Sequence, residues 1–333
     1  MTNETKPFEK PAVSINVCQP TMRGPARTDP EQWWYIRFLR RFFDLRFHDR
    51  PDFLFYGDAG NGEHLSYPPS VIRIFTTGEN ILPNWQEADY ALTHERVYSH
   101  RHWRLPLHRH WFDTTCTEPE RDFSIISKRV SRFCNFIYSN DKAQERIEFF
   151  KLLSRYRPVD SGGAVCNNMN GRVNDKRALV CQSKFTIAFE NSSRSGYSTE
   201  KIIEPLLYGS IPIYWGDPDI SQDFNPACFI NVHDFGNLDS VVDLVKQIDQ
   251  DDSLWKSYVT APIFPGGRMP AKLTDDAIVR FFGNIFAHGR AQNSRRVRMK
   301  QRIGYHWANS RIMESFDKAI ASFHRRIGAV GRR

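Results

Sequence analysis

Hydrophobic positions along this chain switch between two periods, and the switches mark out elements. From Ala12 to Val17 apolar and polar residues alternate, which predicts a strand. Asp29-Pro30-Glu31-Gln32 then has the form of a capping box with proline in the first helical position, ahead of Trp33, Trp34, Ile36, Phe38, Leu39, Phe42 and Phe43. That pattern predicts a helix packed on a sheet. Apolar runs at Phe53 to Tyr56, Val71 to Phe75 and Asp89 to Thr93 predict further strands, so residues 1–120 read as one α/β domain. Asp113 to Arg121, with Thr, Pro and mixed charges, reads as the linker that follows.

A second series covers residues 121–289. It starts with a strand at Asn135 to Tyr138, passes through a helix around Ala143 to Tyr156 and a loop with Gly162-Gly163, and is most regular from Lys184 to Ile220. There the apolar run Phe185 to Phe189 breaks at Glu190 into small and polar residues. Ser198 to Lys201 then opens a helical pattern with Ile202, Ile203, Leu206 and Leu207, and Ile211 to Trp215 is a second apolar run. A strand apolar on both faces and reached through a helix predicts a parallel pair in an α/β sheet. Ligands of such sheets sit at the carboxyl ends of the strands. Cys228 to Val232 reads as a further strand, and Ala277, Ile278, Phe281, Phe282, Ile285 and Phe286 keep helical spacing up to Gly289. Two α/β series joined by a linker predict two Rossmann-like lobes facing across a cleft.

Charge changes the picture only at the end. The formal net charge of the 333 residues is +8, but Arg290 to Arg333 hold 12 Lys/Arg against 2 Asp/Glu, leaving 34 against 36 for the rest. The near-neutral body offers no footprint for nucleic acid. Residues 290–333 read as a basic amphipathic helical tail: the stripe Ile312, Phe316, Ile320, Phe323 and Ile327 packs on the body as ordinary scaffold, or does so while Arg295, Arg296, Arg298, Lys300 and Arg302 face an anionic membrane surface. The sequence has no 18-residue apolar run, and its N-terminus lacks the apolar segment of a signal peptide. Its six cysteines are isolated, with no CxxC, and read as small buried side chains in a reducing compartment.

The stretch Lys184 to Ile220 closely resembles the donor-binding signature of the α-1,3-fucosyltransferases, glycosyltransferase family 10, and the likeness runs on through Phe224 to Phe235. Two upstream blocks resemble the same family in the expected order: FTTGENILPNW from Phe75 to Trp85, and NFIYSN with ERIEFF between Asn135 and Phe150. The resemblance implies the GT-B architecture, with the acceptor held by the first lobe and the nucleotide sugar by the second. Taken with the polar N-terminus, it further implies a bacterial-type, cytoplasmic member without a membrane anchor; the basic tail adds the expectation of a peripheral place on the inner membrane face.

Moving a sugar from a nucleoside diphosphate to a hydroxyl needs a base for the acceptor proton and positive charge for the departing diphosphate. Arg146 and Lys201, each near the start of a helix that follows a strand, match the family's phosphate-contacting residues. Lys201 stands in the first turn of its helix, where a cation opposes the macrodipole unless an anion is bound. Glu200 matches a sugar-contacting position, and Asn191 and Tyr197 match nucleotide-side contacts. Glu190 stands either as a further sugar contact or as a structural residue that orients the loop. Glu79, in Thr77-Gly78-Glu79-Asn80 directly after a strand of the first lobe, matches the proposed catalytic base.

Asp217-Pro218-Asp219 imitates the DxD of metal-dependent transferases, but the phosphate charge already has Lys201 and a helix end; no metal ligand is assigned and a divalent ion is at most stimulatory. His94, His100, His102, His108 and His110 invite zinc, yet the interleaved Arg96, Arg101, Arg104 and Arg109 would repel it. A basic aromatic surface near the acceptor groove is expected instead. The combined reading is an inverting transfer of L-fucose from GDP-β-L-fucose to the 3-hydroxyl of GlcNAc in a glycan such as lipopolysaccharide or lactosamine, with no cofactor. A transferase for another GDP-sugar and a non-catalytic glycan-binding relative stand as alternatives.

Overall fold

A computed structural model describes residues 10–18, 29–59, 62–112, 118–141 and 143–289. The C-terminal tail with its Ile312 to Ile327 stripe lies outside the described residues.

The first lobe is a sheet of six parallel strands in the order β2-β1-β3-β4-β5-β6, where β1 is Ala12–Cys18, β2 Asp44–Phe47, β3 Phe53–Tyr56, β4 Ile72–Thr76, β5 Tyr90–Thr93 and β6 His102–Arg104. The second is a parallel sheet ordered β11-β10-β9-β7-β8, with β7 Arg132–Phe136, β8 Val159–Ser161, β9 Ser183–Phe189, β10 Ile211–Trp215 and β11 Ile230–Asn231. Strands β3, β4, β5 and β9 are buried along their whole length, as expected of parallel strands covered on both faces. Each lobe has its own apolar core.

The helix expected from Pro30 onward is broken. Asp29 accepts from the Glu31 backbone N–H, but the turn it caps, Pro30–Gln32, is a single 3₁₀ turn, and α1 is only Trp34–Leu39. Trp33, Trp34, Tyr35 and Ile36 are all buried, more consecutive burial than one helix face supplies.

Helix α8, Asp275–His288, also departs from the sequence reading. It follows the second series in the chain, yet Ile278, Phe281, Phe282 and Ile285 belong to the core of the first lobe, where Phe286 packs edge-on against Phe43 and Phe53. Asp275 pairs with Arg41 and Arg109 of that lobe, and the Tyr90 hydroxyl donates to the Gly289 carbonyl at 2.5 Å. An amphipathic stripe shows which face is buried but not against which sheet.

The expected basic aromatic surface is largely absent, because the segment turns inward. His94, His102, His108, Arg104 and Arg109 are buried, and only His100 of the five histidines is exposed. Arg104 and Arg109 find carboxylates at Asp223 and Asp275. No group of three or more potential metal ligands occurs among the described residues. Of the five described cysteines, all unpaired, Cys134 and Cys228 are buried as expected but Cys166 is exposed.

Burial pushes His108 and His110 down to about 3, and His94 and His102 to about 4. A folded-state value below that of the unfolded chain means the unfolded form binds more protons, so stability is lost as pH falls below the ordinary histidine value of about 6.5. The fully buried His108 alone should cost on the order of 1–2 kcal/mol at pH 5. The thermal midpoint is therefore expected to fall by roughly 3 °C or more between pH 7 and pH 5. A midpoint unchanged over that range in differential scanning fluorimetry would show that these imidazoles are not held neutral.

Candidate active site

Strands β7 and β9 are adjacent in the second sheet, and the chain leaves both at the same edge. After β7 come Tyr138, Ser139 and Asn140, then α3, Gln144–Leu153, with Arg146 in its first turn. After β9 comes the loop 190–199, then α5, Glu200–Tyr208, with Lys201 in its first turn. The basic residues of both helices therefore meet at one place. Their cavity, of about 380 Å³, is lined by Arg146, Asn191, Tyr197, Thr199, Glu200 and Lys201 on one side and by Gly78, Glu79 and Leu107 on the other.

Arg146 is buried, with its guanidinium 4.1 Å from the centre of the Tyr138 ring. Its Nη2 donates to the Glu190 carbonyl at 2.5 Å and to Asn191 Oδ1 at 2.9 Å, while its buried Nε has no partner among the described residues. An orphaned charged donor beside a cavity is costly in the empty protein and suits an anionic ligand.

Lys201 Nζ lies 3.2 Å from Glu190 Oε2 and 3.2 Å from Glu200 Oε1. Burial would lower the Lys201 ammonium, but the two carboxylates outweigh it and hold it above the ordinary lysine value. This corrects the sequence argument about the macrodipole: the adjacent carboxylates already compensate the cation. Burial would likewise raise Glu200, and Lys201 with Lys176 more than reverses this.

Glu190 is fully buried and does not line the cavity. Its carboxylate accepts from the Thr199 backbone N–H at 2.7 Å and from the Thr199 hydroxyl at 2.8 Å, fixing the residue that caps α5. Burial raises its carboxyl despite Lys201. Of the two roles left open in the sequence, the geometry is that of a structural residue behind the wall. Gly216 is held to glycine for the same reason, since a Cβ there would stand 2.4 Å from Glu190 Cγ.

Glu79 is exposed at the cavity rim, one turn beyond β4. Its backbone N–H donates to Thr77 Oγ1 at 3.0 Å, and that hydroxyl lies 3.0 Å from Asp58 Oδ1. Asn80 Nδ2 crosses to Ser192 Oγ at 2.7 Å, so the segment of the first lobe is tied to the loop of the second. A second cavity of about 500 Å³ lies on the far side of Glu79, lined by Trp33, Trp34, Tyr35, Arg37, His110 and Trp111, and shares Gly78, Glu79 and Leu107 with the first.

Six of the seven residues picked out in the sequence thus face one cavity. Sequence reasoning missed Tyr138, which stacks under Arg146 although it lies in the NFIYSN block, and Thr199, whose signal was an ordinary helix cap. It also missed Lys176 and Glu204, which pair at the far end of the first cavity. Asp217 is buried against Arg96, whereas Asp219 is only partly buried and accepts from Ser195 Oγ at 2.5 Å.

The same two segments match known proteins. Residues 126–260 match the profile of glycosyltransferase family 10 (fucosyltransferase), C-terminal part, and residues 26–111 match that of the alpha-(1,3)-fucosyltransferase FucT N-terminal domain. The alpha-(1,3)-fucosyltransferase FucT of Helicobacter pylori is 29% identical over 273 residues, covering 67% of this chain and 57% of that protein. The human GDP-fucose protein O-fucosyltransferase 3 is 26% identical over 242 residues, covering 65% of this chain and 50% of that one. The chain therefore spans about half the length of these two relatives. Among solved structures, an alpha1,3-fucosyltransferase superposes with a TM-score of 0.72 at 27% identity, over 86% of this chain and 93% of that one. An alpha1,3-fucosyltransferase with GDP-fucose gives a TM-score of 0.70 at 26% identity, over 87% and 95%. With both lobes of the GT-B fold matched, and the matched segments carrying Glu79 on one side of the cavity and Arg146 and Lys201 on the other, the chain belongs to glycosyltransferase family 10, the fucosyltransferases.

Proposed function

We propose that this protein transfers L-fucose from GDP-β-L-fucose to the 3-hydroxyl of a GlcNAc-containing glycan, with inversion at the sugar. The observation that carries the reading is the single cavity lined by Arg146 and Lys201 of the second lobe and by Glu79 of the first. The diphosphate takes the positive charge of the Arg146 guanidinium, the Lys201 ammonium and the amino end of α5, a combination of fixed charge and helix dipole that suits a departing phosphate. Asn191 and Tyr197 line the same wall, and Glu200 offers a carboxylate to sugar hydroxyls or to the positive charge that a glycosyl transition state develops.

The acceptor occupies the second cavity. Trp111 and the edges of the buried Trp33 and Trp34 give apolar surface for a sugar ring, while Arg37 gives a polar group at its side, the usual make-up of a small-molecule site. The cavity opens onto Glu79, which takes the proton of the attacking hydroxyl from the side opposite the leaving GDP; displacement from that side inverts the anomeric carbon. Activity is expected without added metal, because the phosphate charge is met by protein groups and Asp217 is committed to Arg96. Among the described residues no helix is long and apolar enough to cross a membrane. Association of the basic tail with an anionic membrane belongs to the proposal.

Release of GDP from GDP-fucose, followed with lactosamine-type glycans, lipopolysaccharide fragments and no acceptor, tests the reading; product linkage is read by NMR. Acceptor-dependent release of an α-1,3-linked product, retaining at least half its rate in EDTA, is expected. Stabilisation by another GDP-sugar but not by GDP-fucose would move the protein to a different donor. Complete loss in EDTA that manganese restores would return Asp217 and Asp219 as metal ligands.

A further inference from the structure

The loop that carries Asn191, Tyr197 and Thr199 to the first cavity belongs to the second lobe in sequence, but the first lobe grips it. Arg104, on edge strand β6, is fully buried; its Nη2 donates to the Gly196 carbonyl at 3.1 Å and its Nε to the His94 carbonyl at 3.0 Å. The same guanidinium forks onto Asp223, at 3.0 Å and 2.5 Å. Arg96, on the loop before β6, reaches Asp217 Oδ2 at 2.7 Å, the Asp219 carbonyl at 2.8 Å and Asp223 Oδ2 at 3.0 Å. Asp219 in turn accepts from Ser195 of the loop, and His108 Nδ1 meets Ser198 Oγ at 2.9 Å.

The contact is close as well as polar. Gly196 has φ +84°, and a Cβ there would stand 2.2 Å from the His94 carbonyl oxygen. Only glycine allows the two lobes to approach so nearly at a left-handed backbone position.

Buried ion pairs are weak stabilisers, because desolvation offsets much of their attraction, but two planar guanidinium forks on three acidic residues define one geometry. Burial alone would raise the Asp223 carboxyl, and the paired Arg104 and Arg96 more than reverse it, so the anchor is ionised. Three members of this network touch the donor loop directly: Arg104 at Gly196, Asp219 at Ser195 and His108 at Ser198.

We propose that Arg96 and Arg104 are positioning residues for the donor: through Asp217, Asp219 and Asp223 the first lobe holds loop 191–199 in its donor-receiving shape. The motif that imitates a metal-binding DxD is then the anchor of an inter-lobe brace, and donor affinity depends on the docking of the lobes. The effect on GDP-fucose rests on the function proposed above; the effect on the loop does not.

Arg96 is the residue to vary, since its side chain is 17% exposed whereas Arg104 is enclosed. In Arg96→Ala without nucleotide, hydrogen exchange of the amides in 191–199 is expected to accelerate by about tenfold or more while that of β9 and β10 stays unchanged. The KM for GDP-fucose is expected to rise by about tenfold, the scale of one charge-assisted contact, with kcat and acceptor KM within threefold of the parent. Arg96→Lys, which keeps one charge but not the fork, is expected to lie between the two, and carries the test should Arg96→Ala not fold. Unchanged exchange in 191–199 overturns the brace. So does a fall in kcat with an unchanged donor KM, the signature of a merely smaller folded fraction. Should the parent not bind GDP at all, the proposed function fails while the exchange result still decides the brace.

Discussion

Glu79→Gln is expected to lower kcat by roughly a hundred- to ten-thousandfold, the range lost with a general base, while GDP affinity stays within about twofold of the parent. Three carboxylates line the first cavity, and their surroundings separate their roles. Glu200 is paired with Lys201, and Glu204 with Lys176. Glu79 alone comes from the first lobe, and no ion pair involves its carboxylate among the described residues. It also stands where the aromatic cavity opens into the charged one, so a hydroxyl bound among the tryptophans meets it before it meets the donor. The amide keeps the side chain's shape and its hydrogen bonds but cannot take the proton, so the loss should appear in kcat and not in donor binding. Calorimetry with GDP and initial rates with a lactosamine acceptor separate the two. A variant that turns over within threefold of the parent would leave Glu79 a surface residue and send the search for the base to another carboxylate.

What the sequence made legible follows from how each element is stabilised. Strands β3, β4, β9 and β10 are largely apolar because both faces are covered, and their limits were readable to within about two residues. Strands β2, β6 and β8 were not readable. They are edge strands of three or four residues, half exposed in the case of β2, and they exist because a neighbouring strand offers a backbone ladder. The site shows the same division. Arg146, Lys201 and Glu79 could be placed because the blocks that carry them resemble glycosyltransferase family 10; a position beyond a strand would by itself have left Glu79 and Arg146 as surface charges. The partners that give them their chemistry could not: Lys201 owes its environment to Glu190, eleven residues away, and Arg96 is bound to Asp217, Asp219 and Asp223, more than a hundred residues away. A charged residue in a loop looks the same in sequence whether it faces water or a buried carboxylate.

Lys201→Ala is expected to fail in two ways that a second substitution can separate. The first is functional: loss of a charge-assisted contact to phosphate should weaken GDP binding on the order of ten- to a hundredfold. The second is structural, because Glu190 is fully buried and Lys201 is its only cationic partner among the described residues. Removing one member of a buried pair costs up to about 3–5 kcal/mol, which for lobes of this size lowers the thermal midpoint by roughly 5–10 °C. The penalty has a definite pH dependence. Burial holds the Glu190 carboxyl above its ordinary value even with Lys201 present, and without the lysine it rises further. A carboxyl raised in the folded state destabilises once pH climbs through its folded value and is harmless below its unfolded one, so the gap between variant and parent should be wide at pH 7 and narrow toward pH 5. Glu190→Gln in the same chain removes the buried charge, and its amide oxygen can still accept from the Thr199 N–H. The double variant should therefore recover at least half of the lost midpoint and none of the GDP affinity. Recovery of GDP binding together with stability would instead mean that Lys201 acts only by holding Glu190 and α5 in place, and that Arg146 and the helix end bind the diphosphate without it.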